Sequence, residues 1–168
     1  MALKQSVIDQ LGVSEAELTR LLAEDVCEIF STMVGVPGIE FLPREIENPT
    51  HFSNSVTAMV GLAGTSNGMV CLHTSKALGL WLTAQMLGMP VTEVDDDMDD
   101  ALGEIANMIG GSFKHHLSNS GDTIKLSTPS VVTGSDYSIT SGHPGENLSL
   151  LFRAGGEEFI ISAIIAMD

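Results

Sequence analysis

The sequence predicts an α+β fold: a pseudo-twofold, duplicated helix-plus-three-strand unit, with an antiparallel-rich sheet and two long helices packed side by side on one face. Three observations predict it. Apolar residues recur at three- and four-residue steps from Leu18 to Met33 and again from Leu102 to Leu117, the period of a helix with one buried face. Short runs rich in Val, Ile, Thr and Ser, separated by glycine turns, follow each helix, as in antiparallel strands. The two halves also resemble each other. Glu28-Ile-Phe-Ser31 with Gly35 beyond it lies over Glu104-Ile-Ala-Asn107 with Gly111 beyond it, and each half then has a proline (Pro43, Pro129) and a late glycine-turn hairpin. Residues 1–168 are read as one domain with internal repeats at about 14–74 and 100–168, the helix at 75–88 being an addition to the first copy.

In chain order, residues 3–11 form a short helix stopped by Gly12. Ser14-Glu-Ala-Glu17 is a capping box, and Leu18, Leu21, Leu22, Val26, Ile29, Phe30 and Met33 carry the first long helix to Gly35. Residues 39–42 are a strand and 43–49 a loop, marked by its prolines and charges. Phe52–Leu62 and Met69–His73 are strands, with Asn67-Gly68 as the turn signal between them. A helix from Thr74 or Ser75 to Leu87 is stopped by Gly88 and Pro90. The acidic stretch Glu93–Asp100 leads into the second long helix, where carboxylates suit the positive end of the helix dipole. Strands follow at 123–127 and 130–140, and residues 148–153 and 158–167 form a last hairpin about Gly155-Gly156.

Composition narrows the function. Hydrophobic residues are 43% and charged residues 17% of the 168, which excludes disorder and suits one substantial core. Lys and Arg number 7 against 22 Asp and Glu, a net charge of −15 that argues against nucleic acid and anionic membrane as partners. Cys27 and Cys71 make no framework and read as reduced. The first ten residues lack the apolar run of a signal peptide, and no stretch reaches the roughly 20 apolar residues of a membrane span, so a cytoplasmic protein is expected.

Several motifs fail on context. Gly64-Thr-Ser66-Asn-Gly68 fits the G-x-S-x-G of hydrolase nucleophiles, but that chemistry needs a strand-to-helix elbow and this stretch joins two strands. Asp95-Asp-Asp-Met-Asp-Asp100 would need glycine at the sixth position and glutamate at the twelfth to be an EF-hand loop; it has Asp100 and Ala106. His115 and His116 are neighbours and cannot face one metal from a regular helix, His51, His73 and His143 are scattered, and no nucleotide cradle is present. No metal or other cofactor of its own is expected.

What survives is a stripe on the second long helix. Asp100, Glu104, Asn107, Gly111 and Lys114 step by four and three, apart from the apolar face. Gly103 and Gly110 flank Asn107 at i−4 and i+3, and each costs roughly 1 kcal/mol relative to alanine in a helix interior. Something offsets that cost. On one reading the glycines leave a bare groove for the backbone of a partner; on the other they serve tight packing against a neighbouring helix, with Glu104 and Asn107 merely solvated.

Asp100-x-x-x-Glu104-x-x-Asn107 with Pro129 downstream resembles the CheC/CheX/FliY family of chemotaxis phosphatases, the single intact copy being most similar to the CheX branch. Two departures stand out: Pro129 is one residue nearer than in the family pattern, and Ser31 stands where a two-site member carries Asn, so the first copy (Glu28, Ser31) is read as inactive. The resemblance implies hydrolysis of the aspartyl phosphate of a CheY-like response regulator. Asn107 would position the attacking water, Glu104 would dock on the receiver, and Asp100 would organise the helix start. Gly103, Gly110 and Gly111 would make room for the partner's loops. The resemblance also implies that the Mg2+ belongs to the receiver and that the protein is a homodimer formed through sheet edges, a role with which the apolar last strand, Phe159–Met167, is compatible. A receiver-binding or scaffold module without catalysis is the alternative.

Overall fold

The computed structural model describes residues 3, 5–64, 67–117, 124–140 and 146–166. Ser66 and His143 lie outside the described residues, as do residues 123 and 167 at the ends of two expected strands. Helix α1 (Gln5–Leu11) ends at Gly12, and α2 (Glu15–Ile29) starts at Ser14, whose hydroxyl accepts from the backbone N–H of Glu17 at 3.1 Å. The last turns of this helix widen into a π-helical segment, Phe30–Val34, which Gly35 closes at φ 84°. Helix α3 (Lys76–Leu87) is capped by Ser75 and ended by Gly88. Helix α4 (Asp96–Leu117) starts inside the acidic stretch, four residues earlier than the sequence reading.

Among the described residues seven strands form one antiparallel sheet: β1 (Glu40–Leu42), β2 (His51–Gly64), β3 (Asn67–Ser75), β4 (Ile124–Leu126), β5 (Ser130–Ser138), β6 (Glu146–Ala154) and β7 (Glu157–Ala166). Their order is β1-β6-β7-β3-β2, with β4 and β5 both pairing with β2. Asn67 and Gly68 belong to β3 and not to the turn, because both are paired with β7. A side chain on Gly68 would meet the carbonyl oxygen of Ile164, so the close approach of two strands is what requires glycine there.

Alternation along the strands sends Val56, Ala58, Val60 and Leu62 of β2, Val70 and Leu72 of β3, and Ile161, Ala163 and Ile165 of β7 into one core. Leu18, Leu22, Val26 and Phe30 close that core from the α2 side, and Leu102, Ile105, Ile109 and Phe113 from α4. All of these are at most 6% exposed, so removing any one large side chain would leave a cavity costing about 2–5 kcal/mol.

The last strand is not an edge. β7 pairs with β3 on one side and β6 on the other, and both of its alternating sets are buried, Ile161 and Ala163 on one face, Ser162 and Ile164 on the other. Its apolar sequence reflects burial on two faces, which the composition of a strand alone does not distinguish from an exposed sticky edge. Cys27 is half-buried, Cys71 is buried, and both are free.

Candidate functional site on helix α4

The helix is set by its first turn. The Oδ1 atom of Asp95 accepts from the backbone N–H of Asp97 at 3.0 Å and of Met98 at 3.4 Å, so Asp95 is the cap. Asp100, expected to organise the helix start, instead lies a turn inside it with its side chain exposed. Five carboxylates, Asp95, Asp96, Asp97, Asp99 and Asp100, crowd this end. Partial burial, reinforced by Asp96, Asp100 and Asp95, raises the pKa of Asp99 above the ordinary carboxylate range.

One turn after Asp100, Glu104 is exposed, and Asn107, a further turn along, is half-buried. The stripe therefore presents an exposed carboxylate beside a half-buried carboxamide. A half-buried amide has fewer rotamers open to it than an exposed one, which suits a group that must hold a small molecule in one orientation.

The glycines do not form an open groove. A Cβ on Gly103 would lie 3.3 Å from Cβ of Pro129 and 3.8 Å from Cγ2 of Val131. On Gly110 it would lie 2.5 Å from Cγ1 of Val60 and 3.5 Å from Cδ2 of Leu126. Both glycines are buried, and the space beside them is filled by this chain's own sheet, so neither the expected room for a partner's loops nor the expected packing on a neighbouring helix is found at these positions. Gly111 is half-buried, with Leu126 at 3.8 Å from its would-be Cβ, and remains on the side toward solvent. The sequence reading missed the cause because the filling residues come from β2, β4 and the start of β5, which local spacing cannot place.

Pro129 sits where it does because β2 has two partners along one edge. The backbone N–H of Ser127 donates to the carbonyl of Gly61 at 2.9 Å, and the Ser127 hydroxyl accepts from the N–H of Gly61 at 2.8 Å, carrying the ladder past β4. Proline then supplies no donor and interrupts the strand before β5 begins at Ser130. The interruption delivers the ring onto Gly103, one turn before Asn107.

A second support comes from α2. Oδ2 of Asp25 accepts from the Ser112 hydroxyl at 2.7 Å and lies 2.7 Å from Nε2 of His116, tying the middle of α2 to the C-terminal turns of α4 across a partly buried contact. Among the described residues no group of three or more His, Cys, Asp or Glu side chains could hold a metal ion.

The comparisons bear on this arrangement. A chemotaxis phosphatase CheX family profile matches residues 56–153, more than half of the chain and including the whole site helix. The CheY-P phosphatase CheX of Thermotoga maritima is 26% identical over 125 residues, 73% of this chain and 81% of that protein. The crystal structure of a chemotaxis protein CheX from Desulfovibrio desulfuricans is 26% identical, with a TM-score of 0.74 over 89% of this chain and 99% of its own. A CheX–CheY–BeF3–Mg2+ complex from Borrelia burgdorferi shares the fold at 18% identity, with a TM-score of 0.70 over 87% of this chain and 96% of that one. With a profile that covers the site helix and more than half of the chain, this chain belongs to the CheX family of chemotaxis phosphatases.

Proposed function

We propose that this protein hydrolyses the aspartyl phosphate of a CheY-like receiver domain, with Asn107 positioning the attacking water and Glu104 docking on the receiver. The observation that carries the reading is the exposed Glu104 beside the half-buried Asn107 on a helix buttressed by Pro129. Family membership, the curated relative's activity and the CheX–CheY complex support the same partner.

The chemistry asks little of the phosphatase. An aspartyl phosphate is an activated acyl phosphate, and the receiver supplies its own Mg2+. Water attacks phosphorus in line, the bond to the carboxylate oxygen breaks, and aspartate and inorganic phosphate result. A carboxamide both accepts from and donates to water without adding a charge opposite the phosphoryl group, as does the water-positioning glutamine of GTPases. Fixing that geometry contributes several kcal/mol of barrier reduction, up to roughly 7–11 for well-oriented groups. Glu104, free to reach outward, pairs with cationic or N–H groups at the receiver's active site. Asp100 and Gly111 lie on the same stripe and border the contact.

We further place the protein in the cytoplasm as a homodimer formed through sheet edges. No described helix is long and apolar enough to cross a membrane. Among the described residues the unpaired edges include the outer side of β5 and the first half of β6, since β1 pairs only with Leu151–Arg153. Unpaired edges of this kind join copies readily.

The test is dephosphorylation of phosphorylated CheY-like receivers by Asn107→Ala against the parent protein. Loss of turnover with binding to the beryllofluoride-activated receiver retained supports the enzyme. A parent protein that leaves the receiver's own dephosphorylation rate unchanged, while still binding it, establishes the scaffold alternative instead.

A further inference from the structure

The sheet face turned away from α2 and α4 carries a buried polar cluster that the phosphatase chemistry does not use. Thr57 and His73 are 0% and 6% exposed. The Thr57 hydroxyl lies 2.9 Å from Nδ1 of His73 and 2.9 Å from the phenolic oxygen of Tyr137. Phe52 stacks on the imidazole with ring centres 4.4 Å apart and on Tyr137 at 5.3 Å.

This arrangement requires a break in β2. In an unbroken strand residues 52 and 57 point to opposite faces. Asn54 takes a left-handed φ of 46°, and the pairing passes from Ser53–Asp136 to Ser55–Gly134, leaving Asn54 and Ser135 out of the ladder. Phe52 thereby joins the face of His73. Left-handed backbone at a non-glycine residue is strained, though least so for asparagine, and such strain gathers at functional sites.

One donor order satisfies both hydroxyl protons inside the cluster: Tyr137 donates to Thr57 and Thr57 donates to Nδ1, which leaves the imidazole proton on Nε2. Burial pushes the imidazole pKa down to about 4, so the ring is neutral and carries its single proton on Nε2. No described group accepts that proton. The same histidine lines a cavity of about 370 Å3 with Phe52, Ser55, Ser75, Leu151 and Ile160.

Charges at this cavity are all paired. Glu158 on its wall accepts from Arg44 at 3.2 Å and Arg153 at 3.3 Å, and His51 pairs with Asp136. A charged guest would lose its hydration and find no free counter-charge. The volume lies at the small end of ligand sites.

We propose that this cavity binds a small, planar, uncharged molecule that presents a carbonyl or ring-nitrogen acceptor to Nε2–H of His73 and a flat or apolar edge to the cavity wall. It is separate from the phosphatase reading and survives or fails independently of it.

Nicotinamide and uracil serve as probes, titrated into the full chain while the His73 ring nitrogens are followed by 1H–15N NMR. Saturable binding of at least one probe is expected, with a dissociation constant of roughly millimolar order for so few atoms and a shift centred on Nε2. His73→Phe keeps the stacked ring and removes the donor; Ser55→Leu keeps the donor and fills the space. Each, once shown folded by circular dichroism, is expected to weaken binding at least about tenfold, the loss of a partnered buried hydrogen bond or of the room itself. Absence of saturable binding for both probes, a response that leaves the His73 nitrogens unmoved, or undiminished binding in either folded variant overturns the proposal.

Discussion

Helices α2 and α4 lie side by side on one face of the sheet, and each has a glutamate followed three residues later by a small polar residue: Glu28 and Ser31 in the first, Glu104 and Asn107 in the second. Both glutamates are exposed, yet the helices diverge directly beyond them. In α2 the serine falls in the π-helical segment Phe30–Val34 and is fully exposed, and the Thr32 hydroxyl next to it bonds back to the carbonyl of Glu28 at 2.7 Å. In α4 the helix stays regular to Leu117, the asparagine is half-buried, and buried glycines bring the helix against Pro129 on one side of it and Val60 on the other. The comparison teaches that a glutamate on a surface helix is cheap to keep. What distinguishes α4 is a half-buried amide between glycines that let the helix approach the sheet.

The largest expected effect tests that distinction at its centre. Asn107→Ala is expected to lower receiver dephosphorylation by about 10²-fold or more, while Ser31→Ala leaves it within about twofold; phosphate release under single-turnover conditions measures both. Comparable losses in the two variants would erase the contrast between the helices.

Proton linkage tests the strands of the opposite face. His73 has a folded pKa of about 4 against an ordinary 6.5, so the unfolded state takes up a proton that the folded state refuses. This contribution to stability is whole above pH 6.5, falls as the pH drops toward 4, and levels off below; the total is at most about 3 kcal/mol. Urea melts across that range should flatten by up to this amount in His73→Phe.

Gly110→Ala should destabilise the fold by about 1–3 kcal/mol by denaturant melting, because displacing Val60 outweighs the roughly 1 kcal/mol gain in helix propensity. The equivalent change at Gly103, 3.3 Å from the more distant Pro129 carbon, should cost less and show itself in turnover, by shifting the proline that backs the site. A smaller loss, about 1–2 kcal/mol, is expected for Asp25→Ala, which leaves Ser112 and His116 without their shared acceptor. Glu28→Ala, at a fully exposed position, should change neither stability nor turnover measurably.

Much of this was legible before any coordinates. The capping box at Ser14, the two amphipathic stretches and the stops at Gly12, Gly35 and Gly88 are local signals, and local chemistry decided them. The pairing of Glu104 with Asn107 on one stripe follows from helical geometry alone. Other features depend on neighbours far away in the chain. Whether Gly103 and Gly110 open outward or press inward is settled by Pro129, Val131 and Val60; whether the apolar last strand is an edge or a centre is settled by β3. The π-helical turn at Phe30 has no residue signature, and the link from Thr57 to Tyr137 spans 80 positions. Spacing reports which side chains share a face, and not what that face will meet.

The central place of β7 has a further consequence for folding. Strands β1 and β6 reach the rest of the sheet only through it, and it follows every other described strand along the chain. Its pairing with β3 joins segments far apart in sequence, so the sheet closes more slowly than one built only from neighbouring hairpins.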